Sequence, residues 1–369
     1  MGKKAIVISF NGKSNAGGVE RVVYYIDAYF NSRGIETKII DERFLLGSFV
    51  GKLYARLFNY RHFRKRKSIY LARYASAWLW ITGQWRNIVI SHGESAPFFP
   101  VDFLFIHGSY HAMELAYGKP DEKLSRMANL QRRACRYAKA IIAVSEKVKQ
   151  DLARYYGTDL QKVRVLNNCV DTQRFFPVQG NNDNVTRVLF VGRLENGKGL
   201  AALQRLAEII EQADNWELVI ACNHAGNSGL FSAFKHTKVK TGLTVENINE
   251  EAYTKADLMF FPSRFEGFEM VTLEALAAGI PVAAYPVGAA AELSRRHFPG
   301  VHLLEALNDD ILSRFTQIIT GFRASITPQE LHQRVKDEFG IDVYMQKLDT
   351  ILGPAFFHNA QKNDAPTAG

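Results

Sequence analysis

Short apolar runs alternate with longer segments of helical period through the first half of the chain. Residues 5–10 (AIVISF) predict a first strand, residues 19–32 predict a helix with one apolar face, and residues 36–40 predict a second strand. This order of strand, helix and strand is typical of a parallel α/β sheet. Further strands are predicted at 87–91, 103–106, 140–144 and 163–166.

A polar stretch separates this series from a second one. Residues 177–184 (PVQGNNDN) combine proline, glycine and asparagine, which is typical of a loop or linker. A helix is predicted at 200–212, and strands are predicted at 187–191, 217–222, 239–243, 258–261 and 282–285. The chain has 369 residues, which is too long for one ordinary domain and suits two. We therefore predict two α/β domains, in which ligands bind beyond the carboxyl ends of the parallel strands.

Residues 258–282 form the most informative segment of the chain. An apolar strand ends at Pro262, a polar loop follows, and a helix is predicted at 269–278. Backbone N–H groups at such a junction favour an anion. The carboxylates of Glu266 and Glu274 would repel a phosphate, but they would accept hydrogen bonds from hydroxyl groups. A ligand with both kinds of group, such as a nucleotide sugar, fits this combination.

Positive charge is concentrated between residues 43 and 93, a window that is predicted to form one or two helices. The formal net charge of the chain is +9, yet this window contains no Asp or Glu, and the remaining residues sum to −1. The ten cations of the window are Arg43, Lys52, Arg56, Arg61, Arg64, Lys65, Arg66, Lys67, Arg73 and Arg86. Three of the four tryptophans, Trp78, Trp80 and Trp85, lie in the same window.

This mixture of cations and aromatic rings suits an anionic membrane surface, because cations meet headgroups while amphipathic rings settle at the interface. The predicted membrane or acceptor surface consists of Arg61, Arg64, Lys65, Arg66 and Lys67. The alternative is that residues 43–93 form a solvent-exposed basic face over an ordinary hydrophobic core. We expect no nucleic-acid partner, because no sequence signature of a nucleic-acid-binding module accompanies the charge.

Cysteine usage and hydropathy bear on the compartment. Cys135, Cys169 and Cys222 are odd in number, far apart and without a C-x-x-C pattern, so they predict neither a disulfide framework nor a zinc site. A reducing, cytoplasmic location is expected. The opening MGKKAIVISF is interpreted as a strand rather than a signal peptide, and no run approaches the ~20 apolar residues of a membrane span.

Four motifs follow one another along the chain. They are AGGVERVV at 16–23, VRVLNNCVDTQRFFP at 163–177, VGRLENGKGL at 191–200, and EGFEMVTLEALAAGIPV at 266–282, which contains E-x7-E. By these motifs the chain resembles the retaining glycosyltransferases of family 4, which have the GT-B fold. It is similar to the lipopolysaccharide core and O-antigen transferases of that family.

The resemblance implies an α/β architecture of GT-B type, with two Rossmann-like, doubly wound domains that face each other across a cleft. Residues 1–170 would form the acceptor-binding domain, with a membrane-proximal basic and aromatic region at 43–93. Residues 171–341 would bind the nucleotide sugar. A helix at 342–352 would cross back to the first domain, and residues 353–369 are expected to form a disordered tail.

The resemblance also assigns roles in donor binding. Arg193 and Lys198, in the G-R-L-x-x-x-K-G motif, would grip the diphosphate of the donor and stabilise its charge as it leaves. Glu266 would accept hydrogen bonds from the sugar hydroxyls, and Glu274 from the ribose hydroxyls. The alternative is that Arg193 and Lys198 are ordinary surface cations and that Glu274 is an exposed carboxylate on its helix.

Glycines and loop residues complete the predicted donor site. Gly17 and Gly18 match the family loop that faces the diphosphate, and Gly267 and Phe268 would present backbone amides to the sugar and phosphate. Glu269 departs from the family pattern, which has a small residue there. We expect it to begin its helix beside the positive end of the helix dipole rather than to select the sugar.

Two histidines compete for a role in the first domain. His107 follows the strand FLFI and resembles the family histidine that contacts the donor near its 6-hydroxyl. His92 also follows a predicted strand. A structural role is the alternative for either.

The activity implied is transfer of a hexose from a nucleotide sugar, with a UDP-sugar expected, and with retention of anomeric configuration. The acceptor would be a membrane-associated glycolipid, such as lipopolysaccharide core or an O-antigen intermediate, at the cytoplasmic leaflet of the inner membrane. No cofactor or metal is expected, because Asp102 and residues 309–310 do not resemble a D-x-D site.

Two other functions stay open, a nucleotide-sugar epimerase of GT-B fold and a catalytically silent subunit that holds glycan or lipid. A nicotinamide dehydrogenase is set aside because no G-x-G-x-x-G follows the first strand.

Overall fold

The computed structural model describes residues 4–14, 17–178, 183–223 and 225–357. The chain divides into two compact units. The first unit contains the residues up to Asn167 and those from Tyr344 onward, and the second unit is Asn168–Val343.

The first unit is built on six parallel strands. They are β1 (Ala5–Ile8), β2 (Thr37–Ile40), β3 (Ile88–His92), β4 (Phe103–Ile106), β5 (Ala140–Ala143) and β6 (Val163–Val165). Their order in the sheet is β2-β1-β3-β4-β5-β6. Every residue of β1, β3 and β4 is buried, as expected for a parallel sheet covered on both faces. The strands predicted for this half of the chain are confirmed.

Helices connect these strands. They are α1 (Gly18–Asn31), α2 (Glu42–Gly47), α3 (Phe49–Leu57), α4 (Arg61–Lys65), α5 (Lys67–Ile81), α6 (Tyr110–Tyr117), α7 (Glu122–Tyr137) and α8 (Glu146–Tyr156). The basic window was expected to form one or two helices, but α2 to α5 divide it into four. Ser48 makes the first break, because its hydroxyl accepts a hydrogen bond from the Gly51 N–H and so caps α3.

The second unit also has a parallel six-stranded sheet. Its strands are β7 (Thr186–Val191), β8 (Trp216–Cys222), β9 (Thr237–Thr241), β10 (Leu258–Phe261), β11 (Val282–Ala284) and β12 (Val301–Leu303). Their order is β12-β11-β10-β7-β8-β9. Strand β12 was not predicted, because its three residues (VHL), all half-buried in the structure, form no distinct apolar run.

The remaining helices are α9 (Leu200–Glu211), α10 (Ile248–Glu251), α11 (Met270–Ala277), α12 (Gly288–Arg295), α13 (Ile311–Ser325), α14 (Pro328–Phe339) and α15 (Ile341–Phe357). Among the described residues, none of the helices has the length and apolar character needed to span a membrane.

The C-terminal helix α15 packs on α1 of the first unit. The hydroxyl of Tyr29 donates a hydrogen bond to Asp349 Oδ1 at 2.9 Å, and the rings of Phe30 and Phe356 lie 4.7 Å apart. This confirms the predicted return of the final helix. The expected tail was wrong for residues 353–357, which continue the helix past Pro354 because Phe356 packs on α1. Residues 358–369 of that prediction lie outside the described part of the chain.

Candidate functional site

Two loops meet at the carboxyl edge of the sheet in the second unit. Strands β7 and β10 are parallel neighbours, with Leu258 opposite Val188 and Met259 opposite Leu189. Both strands therefore end at the same edge. The chain leaves β7 through residues 192–199 and leaves β10 through residues 262–269, so the residues of the two motifs come together there.

Hydrogen bonds and a close backbone approach join the two loops. The Arg264 N–H donates to the Gly197 carbonyl at 3.0 Å, and Ser263 Oγ lies 3.2 Å from the same oxygen. Gly199 has a φ of 85°. A Cβ at Gly199 would overlap the Pro262 carbonyl oxygen and lie 2.7 Å from Pro262 Cγ, so only glycine fits this position without a shift.

Lys198 and Glu266 form an ion pair across these loops. Their side chains are 24% and 12% exposed, so the pair is largely shielded from water. The Ser263 hydroxyl donates a hydrogen bond of 2.6 Å to Glu266 Oε1, the oxygen that also receives the lysine. Ser263 was missed by the sequence analysis, although its place in the loop before Glu266 is the signal that could have found it.

Arg193 lies in the same loop as Lys198 and is open to solvent. Its side chain is 64% exposed, and its Nη1 lies 3.2 Å from Glu195 Oε1. Glu195 is itself 53% exposed, so this pair is held weakly. The Arg193 guanidinium is therefore accessible to an incoming anion.

Glu274 is a buried carboxylate on α11, with 4% of its surface exposed. The hydroxyl of Tyr253, which is fully buried, donates to Glu274 Oε2 at 2.7 Å. A buried carboxylate requires such donors, because an uncompensated charge would be costly. Tyr253 was not found from the sequence, since nothing in its local pattern indicates a partner 21 residues away. The role of Glu274 toward a ribose stays a prediction.

Glu269 holds the N-terminus of a different helix from the one expected. It precedes α11 as its N-cap, but its carboxylate accepts hydrogen bonds from the Ala289 and Ala290 N–H groups of α12, at 2.7 and 3.1 Å. The Thr272 hydroxyl donates to it as well, at 2.6 Å. Burial, and next the charge of Glu266, raises the pKa of the Glu269 carboxyl to about 7, although these hydrogen bonds oppose the rise.

Phe268 acts through its ring and its carbonyl group. The ring is 3% exposed and lies 6.1 Å from that of Phe339. Its carbonyl oxygen accepts a hydrogen bond of 2.6 Å from Asn168 Nδ2. These contacts fix the loop just before α11. The predicted use of the Gly267 and Phe268 amides by a ligand is compatible with this arrangement and stays a prediction.

The two histidines of the first unit form a pair. His92 Nδ1 lies 2.9 Å from His107 Nε2, and the two rings are stacked at 7° to each other. Burial lowers the pKa of His92 well below its ordinary value, with His107 contributing, and lowers the pKa of His107 to about 4. Both rings are therefore neutral at neutral pH, and one donates to the other. The two histidines therefore lie side by side, and the predicted role of His107, or of its competitor His92, toward the donor stays a prediction.

The predicted glycine pair stands at the start of α1. Gly17 has a φ of 86° and occupies the N-cap position, so its backbone conformation favours glycine. Gly18 has no heavy atom within 4 Å of a virtual Cβ, so sterics do not require glycine there. Ala16, which precedes them in the motif, lies outside the described residues.

Most of the predicted basic surface lies on α4. The residues Arg61, Arg64, Lys65 and Arg66 are exposed. Lys67, the first residue of α5, instead forms an ion pair with Glu42 of α2. Within the described residues, no group of three or more His, Cys, Asp or Glu side chains is arranged to hold a metal ion.

Two family models match the chain. The model described as Glycosyltransferase Family 4 matches residues 16–174, and the model described as Glycosyl transferases group 1 matches residues 171–329. Together the two models match residues 16–329.

Curated relatives share between a quarter and a third of aligned residues. An uncharacterized glycosyltransferase of Methanocaldococcus jannaschii is 29% identical over 205 residues, which are 50% of this chain and 53% of that protein. A D-inositol 3-phosphate glycosyltransferase of Salinispora arenicola is 27% identical over 245 residues, or 58% and 54% of the two chains. The chain spans about half the length of these curated relatives.

Solved structures share the fold over nearly the whole chain. A sucrose-phosphate synthase from Thermosynechococcus elongatus superposes with a TM-score of 0.75 and 15% identity, over 96% of this chain and 99% of that one. WaaG, a glycosyltransferase involved in lipopolysaccharide biosynthesis, superposes with a TM-score of 0.70 and 16% identity, over 95% of this chain and 100% of that one. Anabaena HepE in complex with UDP-glucose superposes with a TM-score of 0.64 and 16% identity, over 95% of this chain and 99% of that one. With both family models matched and this fold shared, the chain belongs to the GT-B glycosyltransferases.

Proposed function

We propose that the protein is a retaining glycosyltransferase that moves a hexose from a UDP-sugar to a membrane-associated glycolipid. The observation that carries this proposal is the Lys198–Glu266 pair, which lies at the carboxyl edge of the second sheet in the same loops as Arg193. This edge supplies cations for a diphosphate and carboxylates for hydroxyl groups, and a nucleotide sugar presents both.

Without a bound donor, the charges of Lys198 and Glu266 compensate each other in their ion pair. A donor can replace each half of the pair, because its diphosphate supplies an anion for Lys198 and its sugar supplies hydroxyl donors for Glu266. Ser263 keeps Glu266 oriented while the lysine turns to the phosphate. Lys198 and Glu266 lie in a shielded site, where an unpaired charge is costly. Only a ligand with both a diphosphate and sugar hydroxyls compensates both residues when their ion pair separates.

The chemistry needs no nucleophile from the protein. The acceptor oxygen bonds to the anomeric carbon as the bond from that carbon to the phosphate oxygen breaks. The departing phosphate takes the acceptor proton on the same face of the sugar, which retains the configuration. Arg193 and Lys198 stabilise the negative charge that develops on the diphosphate, and the loops hold the reacting groups in position. We propose that no metal takes part.

The choice of donor and acceptor rests on similarity. HepE was solved with UDP-glucose, and WaaG acts in lipopolysaccharide biosynthesis. We infer a UDP-sugar and an acceptor of the lipopolysaccharide core or O-antigen type, met by a cytoplasmic enzyme at the inner leaflet. The basic surface on α4 supports an anionic, membrane-associated acceptor.

The binding of UDP and UDP-glucose to two variants tests the donor site by calorimetry. Lys198→Met should weaken both ligands by about tenfold or more, because a charged contact with phosphate is lost. Glu266→Gln should remove the preference for UDP-glucose over UDP without weakening UDP binding, because it frees Lys198 from the ion pair. Lys238→Met is the matched control, since Lys238 also pairs with a glutamate, Glu217, but at the amino ends of β8 and β9.

Equal effects of Lys198→Met and Lys238→Met would contradict the proposed donor site.

Transfer is tested with radiolabelled donors and glycolipid acceptors, and the anomeric configuration of the product is read by NMR. An epimerase would interconvert nucleotide sugars without stoichiometric release of UDP. A silent subunit would show neither reaction.

A further inference from the structure

Helix α3 directs an apolar stripe toward solvent. Phe49 is 90% exposed, Val50 45% and Leu53 56%. With about 100° between successive residues of a helix, these three positions fall within roughly 100° of one another. Lys52 and Arg56, which are also exposed, border the stripe on one side. The helix therefore presents apolar and cationic side chains together on its outer face.

The opposite face of α3 is fixed in place. The ring of Tyr54 lies 5.7 Å from that of Tyr74 on α5, and Phe58 is 8% exposed. A Cβ at Gly51 would overlap the Leu45 carbonyl oxygen, so α3 lies tightly against the end of α2. The outer stripe is thus held rigidly in an exposed position, and ordinary packing does not explain it.

The surroundings of α3 share this character. Among the described residues, eight of the fifteen exposed large hydrophobic side chains lie between Phe44 and Trp85. Exposed cations on α4 and directly after it, from Arg61 to Arg66, follow α3 in the chain, and residues 43–93 contain no acid. An apolar protein partner would match the stripe but would gain nothing from this acid-free set of cations. An anionic lipid surface matches both.

We propose that α3 is an interfacial helix that inserts Phe49 and Leu53 among the acyl chains of an anionic bilayer. Lys52, Arg56 and the α4 cations bind headgroup phosphates beside it. The inference extends the membrane part of the proposed function, and it requires neither donor binding nor transfer. It therefore stands or falls separately from the donor site.

Sedimentation of the full chain with lipid vesicles tests the proposal. Vesicles are made of phosphatidylcholine alone or of an equal mixture with phosphatidylglycerol. The protein should bind the mixed vesicles, and a Phe49→Ser, Leu53→Ser double variant should bind them at least about tenfold more weakly. The matched control is Leu160→Ser, because Leu160 is 45% exposed in the same unit but lies outside these helices. Thermal melting followed by circular dichroism serves as the folding control.

Three outcomes would overturn the proposal. They are absence of binding to the mixed vesicles, equal binding to neutral and mixed vesicles, and unchanged binding of the double variant. A label at the stripe gives an independent measurement. Cys135, Cys169 and Cys222 are buried, so a Phe49→Cys variant can be labelled selectively with an environment-sensitive dye. Its emission should shift to the blue on mixed vesicles and stay unchanged for the same dye on Leu160→Cys; equal behaviour of the two would contradict insertion.

Discussion

Replacing Gly199 by alanine tests whether the two loops at the carboxyl edge of the second sheet form one structural element. A Cβ at this position would overlap the Pro262 carbonyl oxygen and lie 2.8 Å from the carbonyl carbon. The left-handed conformation, with a φ of 85°, costs alanine about 1 kcal/mol. Relief of the overlap with a backbone atom costs about 2 kcal/mol more. We expect G199A to lower the free energy of unfolding by about 3 kcal/mol, or the melting temperature by about 9 °C.

Gly242 provides the matched control in the same unit. Its φ is 72°, yet a Cβ there would meet no heavy atom within 4 Å. The G242A variant should therefore show the conformational cost of about 1 kcal/mol alone. Urea denaturation followed by circular dichroism measures both variants. Because a shift of Pro262 moves the neighbouring Ser263, G199A should also bind UDP-glucose more weakly than G242A. Equal destabilisation by the two variants would refute the tight contact between the loops.

Three other changes address the contacts around the site and the C-terminal helix. The Tyr253→Phe change removes the hydroxyl bonded to the buried Glu274 carboxylate, and it should destabilise the protein by about 2 kcal/mol in urea denaturation; an effect near zero would mean that Glu274 needs no such donor. The pKa of the Glu269 carboxyl is raised from 4.5 to about 7 in the native protein. Between these two pH values the native carboxyl keeps its proton while that of the unfolded chain ionises, so the stability of the wild-type protein should fall as the pH rises. The Glu269→Gln variant should lack this fall, which melting curves at pH 5 and pH 8 would show, and parallel curves for both proteins would contradict the assignment. The Asp349→Ala change removes the acceptor of the Tyr29 hydroxyl, and it should cost only about 1 kcal/mol in urea denaturation because the aspartate is 48% exposed; a much larger loss would show that this contact dominates the docking of α15.

The elements of the fold were largely predictable because their signals are local. The strand β10 appears as an apolar run ended by Pro262, and Gly279 stands two residues after the end of α11 at Ala277. The division of the basic window at Ser48 was also encoded locally, by a hydroxyl residue at an N-cap, but it was missed. The extension of α15 beyond Pro354 was not encoded locally, since it depends on packing against α1.

The candidate site was predictable only where motifs identify it. The motifs identify Lys198 and Glu266 as site residues, and the structure explains their proximity, because β7 and β10 are parallel neighbours whose loops lie at one edge. The partners of Glu274 and Glu269 could not be predicted in this way. Tyr253 and the first amides of α12 lie about twenty residues away from these carboxylates, and only the folded chain brings them together.

A crystal structure of the protein with bound UDP-glucose tests the central claim most directly. The account predicts that the diphosphate contacts Arg193 and Lys198, that Lys198 has left Glu266, and that the sugar hydroxyls donate to Glu266 while the ribose hydroxyls donate to Glu274. A nucleotide bound elsewhere, with the Lys198–Glu266 pair intact, would contradict it.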